Sequence, residues 1–141
     1  MILLDTSYFL ALFNSQDHLH SRTADWSKSV SDRLLVTEYV LWECVNAFSK
    51  PEHRPAAHAI VNHVRSSVTY EVVPATSQLF EAGLRVHRER PDKEWSLTDC
   101  ISFHIMRERG IKKALAYDHH FEQAGFEALL RREPPAKSSM D

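Results

Sequence analysis

A chain of 141 residues has the length of one domain, and 43% hydrophobic residues are enough for a packed core, which excludes an intrinsically disordered protein. No apolar run approaches the ~18–20 residues of a membrane span, and Met1–Leu4 runs into Asp5 without the charged start and long apolar middle of a signal peptide, so a cytoplasmic protein is expected. The formal net charge of −2 argues against a broadly basic nucleic-acid binder, an objection that shrinks if several acids hold divalent cations and so turn a positive face to phosphate.

Met1–Leu4 is a short continuous apolar run and reads as a strand buried on both faces. Asp5-Thr6-Ser7 follows with residues that cap a helix, which is expected over Tyr8–Phe13. A second helix is expected over His18–Val30, with Leu19, Ala24 and Trp26 among its apolar positions. Leu34–Val36 is the next buried strand. Thr37 caps a helix running to about Ser49, with Val40, Leu41, Val45 and Phe48 at helical spacing and Pro51 as its stop. Pro55–Ser66 reads as a helix, Thr69–Val73 as a third strand ended by Pro74, and Ser77–Glu89 as another helix. Ser96 caps a helix over Leu97–Arg109, Asp99 completes a capping-box-like pattern, and Gly110 closes it. Ala114–Tyr117 is a fourth strand, Phe121–Ala124 a short helical turn closed by Gly125, and Glu127–Leu130 a last strand. Residues 1–132 are expected to form one domain. The tail 133–141, with Pro134, Pro135, Lys137, Ser138 and Ser139, is expected to be disordered.

Strands alternate with helices throughout, which predicts an α/β fold with a mostly parallel sheet and helices on both faces. Cys44 and Cys100, beside Val45 and Ile101, are too few for a disulfide framework and read as small core residues.

Ligands of such folds bind at the carboxyl ends of the strands. Asp5 follows the first strand and Asp118 the fourth, while Asp99 lies in the first turn of a helix that opens at the same edge. Glu43 lies about two turns into the helix after the second strand and could lean over that edge. Each aspartate could equally be a plain cap or turn former. Glu43, between Trp42 and Cys44 on a largely apolar helix, is costly there unless paired or metal-bound. Carboxylates that converge repel one another, and a hard divalent cation such as Mg²⁺ or Mn²⁺ removes the conflict.

Four segments carry a family resemblance. Ile2-Leu3-Leu4-Asp5-Thr6-Ser7, Leu41-Trp42-Glu43-Cys44, Ser96-Leu97-Thr98-Asp99-Cys100-Ile101 and Ala116-Tyr117-Asp118-His119-His120-Phe121 (with Gly125 after it) resemble, in order and spacing, the four motifs of PIN domains. The resemblance extends from Met1 to about Leu130. It implies a three-layer α/β/α fold and a nuclease that coordinates Mg²⁺ or Mn²⁺. A stand-alone chain of this size resembles the VapC-like toxins. These cleave structured RNA, form homodimers and are blocked by a cognate antitoxin whose peptide enters the acidic groove. By the same resemblance Asp5 and Asp99 are the principal metal ligands, Glu43 and Asp118 complete the catalytic cluster, and Thr6 and Thr98 orient the carboxylates.

His119 and His120 read as solvated loop residues, although either could touch RNA phosphate or donate a proton. His53, His58 and His63, five apart, do not share a helix face. His18 and His20 lack a partner at zinc-site spacing. His104 reads as packed or half-exposed. Two basic groups, Arg85, Arg88, Arg90 and Lys93, and Arg107, Arg109, Lys112 and Lys113, read as solvated helix ends, with phosphate contact beside the acids as the alternative. No GxGxxG or P-loop occurs, so a nucleotide-cofactor enzyme is not expected. A non-catalytic interaction module, and a phosphatase or 5′-nuclease on a related fold, are the other readings.

Overall fold

A computed structural model describes residues 1–136. Its centre is a five-stranded sheet in the order β3-β2-β1-β4-β5, formed by β1 (Ile2–Leu4), β2 (Leu34–Thr37), β3 (Tyr70–Val73), β4 (Lys113–Leu115) and β5 (Glu127–Ala128). Every pairing is parallel: Leu3 faces Leu35 on one side and Ala114 on the other, and Leu34–Thr37 run in register with Tyr70–Val73. Seven helices connect and cover the strands: α1 (Thr6–Leu12), α2 (His20–Ser29), α3 (Glu38–Ala47), α4 (Arg54–Arg65), α5 (Ser77–Glu89), α6 (Leu97–Arg109) and α7 (His120–Gln123). The three-layer α/β/α architecture expected from the alternating pattern is the one observed.

The two-residue period of a strand explains why a parallel sheet reads as an unbroken apolar run. Ile2, Leu4, Leu34, Val36 and Leu115 point to one face. There they pack with Tyr8 and Phe9 of α1, Trp26 of α2, Val40 and Cys44 of α3, and Ile60 and Val64 of α4. Leu3, Leu35, Ala114 and Ala116 point to the other, onto Ile101, Phe103 and Met106 of α6 and Phe121 of α7. Cys44 and Cys100 are buried free thiols, one in each layer. The α5–α6 contact is unusually close. A Cβ added at Gly83 would run into the Ile101 side chain, so a side chain here would force the two helices to shift.

Several boundaries differ from the sequence reading, each for a local reason. α1 begins at Thr6 because Asp5 is its N-cap, and α2 begins at His20. A 3-10 turn at Pro51–His53 precedes α4, with Pro51 at its first position, where a missing N–H costs nothing. β4 stops at Leu115 rather than Tyr117, because the Tyr117 amide donates to Ser7 Oγ instead of to a strand. β5 has only two residues, and the chain then coils into a 3-10 turn at Leu129–Arg131. Glu133 ion-pairs with Arg22 at 2.8 Å. Of the tail expected to be disordered over 133–141, residues 137–141 lie outside the described residues. No helix among the described residues is long and apolar enough to cross a membrane.

The strand order places the functional edge. From β1 the chain moves outward through β2 to β3, then returns to add β4 and β5 on the other side of β1. The crevice between the carboxyl ends of β1 and β4 is therefore the topological switch point, where α/β folds bind ligands.

Candidate functional site

Asp5 is the residue that leaves β1 at this crevice. Its amide donates to Leu115 O at 3.2 Å, which carries the β1–β4 pairing up to the acid itself. Its Oδ2 accepts from the Ser7 amide (3.3 Å) and the Ser7 hydroxyl (2.8 Å), the local i to i+2 pattern of an aspartate at a helix start. The residue is only 7% exposed. Burial first, and the Asp99 carboxylate second, push its pKa up to about 7 against the pull of the Ser7 hydrogen bonds.

Asp99 lies in the first turn of α6. Its Oδ2 accepts from the Ser96 amide at 3.2 Å, and its own amide donates to Ser96 Oγ at 3.0 Å, a complete capping box. Burial raises its pKa; hydrogen bonds from the Ser96 amide and His120 oppose this, and Asp118 adds to it. Both aspartates are thus caps, and both also lie at the site. The two readings are compatible because a cap uses one oxygen. Among the described residues, Oδ1 of Asp5 and Oδ1 of Asp99 accept no hydrogen bond.

Glu43 turns inward. The Thr6 hydroxyl donates to its Oε1 at 2.6 Å, while its neighbour Trp42 points away and is 68% exposed. The Cys44 thiol is pushed well above its usual range by burial first and then by the Asp5 and Glu43 carboxylates. Asp118 follows β4. Its Oδ1 accepts from the His120 amide at 3.2 Å, and its two oxygens lie 3.2 Å from His119 Nδ1 and 3.3 Å from His120 Nδ1. His120 Nδ1 also lies 3.1 Å from Asp99 Oδ2.

Hydrogen bonds and mutual repulsion therefore tie the four acids into one set, from Glu43 through Thr6 and Asp5 to Asp99, His120 and Asp118. The second threonine is different: Thr98 is half-buried and makes no side-chain hydrogen bond among the described residues. Ser7 and His120 contact the carboxylates directly. For Ser7 the spacing Asp-x-Ser at a helix start is a usable signal. For His120 a pair of adjacent histidines gives no sign of which one turns inward. The expectation that both are solvated fails for His120, whose side chain is 13% exposed, whereas that of His119 is 57% exposed.

No lysine or arginine pairs with any of the four acids among the described residues. Carboxylates paired with no lysine or arginine, with Oδ1 of Asp5 and of Asp99 uncommitted, are a donor set a hard divalent cation fits. Among the described residues, the one group of three potential ligands whose atoms lie within 4.8 Å of one another is Asp118, His119 and His120; Asp5, Glu43 and Asp99 are not drawn that close together.

The second basic group is elsewhere. Lys113 begins β4 and Lys112 precedes it, so both are at the opposite edge of the sheet from the acids. Arg109 there pairs with Glu71 at 2.6 Å, and Arg107 lies over Phe126. Phosphate contact beside the acids is not open to this group. In the first group, Arg90 is held by Asp92 at 3.0 Å and lies over Trp95, while Arg85 and Arg88 are solvent-facing. Of the remaining histidines, His104 pairs with Glu108 at 3.4 Å, and His63 hydrogen-bonds the Tyr70 hydroxyl at 2.8 Å.

The PIN-domain family profile matches residues 2–127. The 23S rRNA-specific endonuclease VapC20 of Mycobacterium tuberculosis is 32% identical over 127 residues, covering 89% of this chain and 95% of that protein. The crystal structure of Mycobacterium tuberculosis VapC20, described as a sarcin-ricin loop cleaving toxin, superposes with a TM-score of 0.85 at 29% identity, covering 92% of this chain and 98% of the other. FitAcB from Neisseria gonorrhoeae shares the fold, with a TM-score of 0.63 at 15% identity over 90% of this chain and 95% of the other.

Proposed function

This chain is a member of the PIN-domain family, and from that premise we propose that it is a metal-dependent endoribonuclease of structured RNA, the toxin of a VapBC-type pair. The observation that carries the reading is the buried acid pair at the switch point. Burial raises the cost of ionising both, Asp99 adds to it at Asp5 and Asp118 adds to it at Asp99, and among the described residues no lysine or arginine pairs with either.

Asp5, Asp99, Glu43 and Asp118 are the residues that would hold Mg²⁺ or Mn²⁺. The bound ion would supply an activated water and stabilise charge at the scissile phosphodiester. The chain's own groups prepare the site. Ser7 holds one oxygen of Asp5 and leaves the other free. The Ser96 capping box does the same for Asp99. Thr6 aims Glu43 into the crevice. Neither cysteine is placed as a covalent nucleophile, since Cys44 and Cys100 are buried and held protonated.

The likeness to a 23S rRNA-specific endonuclease makes ribosomal RNA the substrate to try first. Residues 1–132 act as one nuclease unit, a cytoplasmic homodimer whose partners are the RNA and a cognate antitoxin that occupies the acidic groove, with no membrane involved. The test is cleavage of total RNA by partner-free wild type and by Asp5→Asn, with Mg²⁺, Mn²⁺ and EDTA arms. Discrete cuts that need metal and vanish in the variant support the reading. Equal cutting by the variant in a contaminant-free preparation rejects it. A wild type that binds no divalent ion and cuts nothing points to a non-catalytic interaction module.

A further inference from the structure

One nitrogen, His120 Nδ1, lies within hydrogen-bonding reach of two carboxylates from different elements: Asp99 Oδ2 on α6 at 3.1 Å and Asp118 Oδ2 after β4 at 3.3 Å. The two acids differ in how firmly the fold holds them. Asp99 is 13% exposed and fixed by its capping box. Asp118 is 44% exposed, sits in a loop, and accepts only one backbone hydrogen bond, from the His120 amide. The imidazole itself is 13% exposed and sits at the start of α7, beside Phe121, which is fully buried. A half-exposed loop carboxylate is thus linked to a largely buried, capped one through a ring that is itself largely buried.

We propose that His120 is a positioning residue: by sharing its Nδ1–H between Asp99 and Asp118, it holds the Asp118 carboxylate in the crevice so that the donor set is assembled before a cation enters. This rests on the metal-site reading above. Without the ring, Asp118 keeps only contacts from its own loop, the His120 amide and the exposed His119 ring, and loses its link to α6, so each binding event must reposition it against Asp99. His119 does not share this role, because its ring is 57% exposed and reaches Asp118 alone.

The test compares wild type, His120→Ala, His120→Asn and Asp118→Asn. An asparagine amide nitrogen sits about where Nδ1 does and can donate to the same oxygens. Mn²⁺ affinity is measured by calorimetry, and RNA cleavage is resolved into kcat and KM, with thermal unfolding as the folding control. The expected result is a loss of Mn²⁺ affinity of about tenfold in His120→Ala, with most of it recovered in His120→Asn. The cleavage defect should fall on kcat more than on KM. Mn²⁺ affinity in His120→Ala within twofold of wild type overturns the proposal, as does an asparagine variant no better than the alanine one. A metal-free readout separates this from failure of the parent reading. If His120 and Asp118 are coupled, their combined substitution lowers the unfolding midpoint by less than the two single shifts together; simple additivity overturns the proposal. Wild-type protein that binds no Mn²⁺ while the coupling persists rejects the metal site and leaves the contact standing.

Discussion

The two edges of the sheet handle charge in opposite ways. At the amino-terminal edge and along the outer helices, acids and bases are matched. The chain's amino group lies 3.8 Å from Asp32, Arg109 meets Glu71 at 2.6 Å, and Arg132 meets Glu127 at 3.0 Å. At the carboxyl edge, none of the four acids pairs with a lysine or arginine among the described residues, and the best buried of them, Asp5, is held by a serine. Partners for carboxylates are plentiful in this chain, since it has 17 lysines and arginines against 19 acids. Four acids without such a partner in one crevice carry a cost in stability that the proposed metal site would offset.

Neutralising the crevice should produce the largest effect. Asp5→Asn and Asp99→Asn are each expected to reduce RNA cleavage on the order of 100-fold or more, measured as kcat/KM on a ribosomal RNA fragment. Without metal the same variants should be no less stable than wild type, because they remove buried repulsion; a large drop in unfolding midpoint would break the contrast between the edges. The pH dependence sharpens it next. The Asp5 pKa is raised from its ordinary value to about 7 in the folded state. Its contribution is therefore fully present below about pH 4 and is lost as pH rises through 7. Metal-free wild type should lose on the order of 2 kcal/mol between pH 5 and pH 8 relative to Asp5→Asn, read from denaturant unfolding. Saturating Mg²⁺ should remove the difference. A smaller effect is expected of Thr6→Val, which cuts the Glu43 hydrogen bond: cleavage should fall about tenfold and stability by about 1 kcal/mol. At the matched edge, Arg109→Gln should cost no more than about 1 kcal/mol, as half-exposed pairs do, and should leave cleavage within twofold.

The acids were legible because their types and positions follow from the alternation of elements. An aspartate directly after a buried strand falls at the carboxyl edge whatever the side chains around it do, and this placed Asp5 and Asp118. Glu43 was legible through cost, as a charge on an apolar helix. What the sequence left open was orientation at the scale of one side chain. Thr6 and Thr98 each neighbour an aspartate, yet among the described residues only Thr6 donates to a carboxylate, that of Glu43 on α3. His119 and His120 differ by one step around a tight turn, and the one facing inward is decided by tertiary contact with α6. Strand ends were misread for a related reason. Tyr117 suits a strand, but its amide is taken by Ser7, a bond between segments far apart in sequence. The basic groups illustrate the limit too, for the same helix that opens at the acids ends, with its cations, at the far edge.

The parallel pairing of Leu3 with Ala114 has a consequence for how the molecule comes into being. It joins the first strand to one that follows nearly the whole length of the chain, and loop closure over that span makes it a late event in folding. Asp5 is made first, but the acids that complete its crevice arrive on α6 and after β4. A chain still growing on the ribosome, or one halted before residue 118, carries no assembled set of carboxylates. The four-acid crevice and the finished fold therefore appear together, and if that crevice is the nuclease centre proposed above, a partly folded copy lacks it.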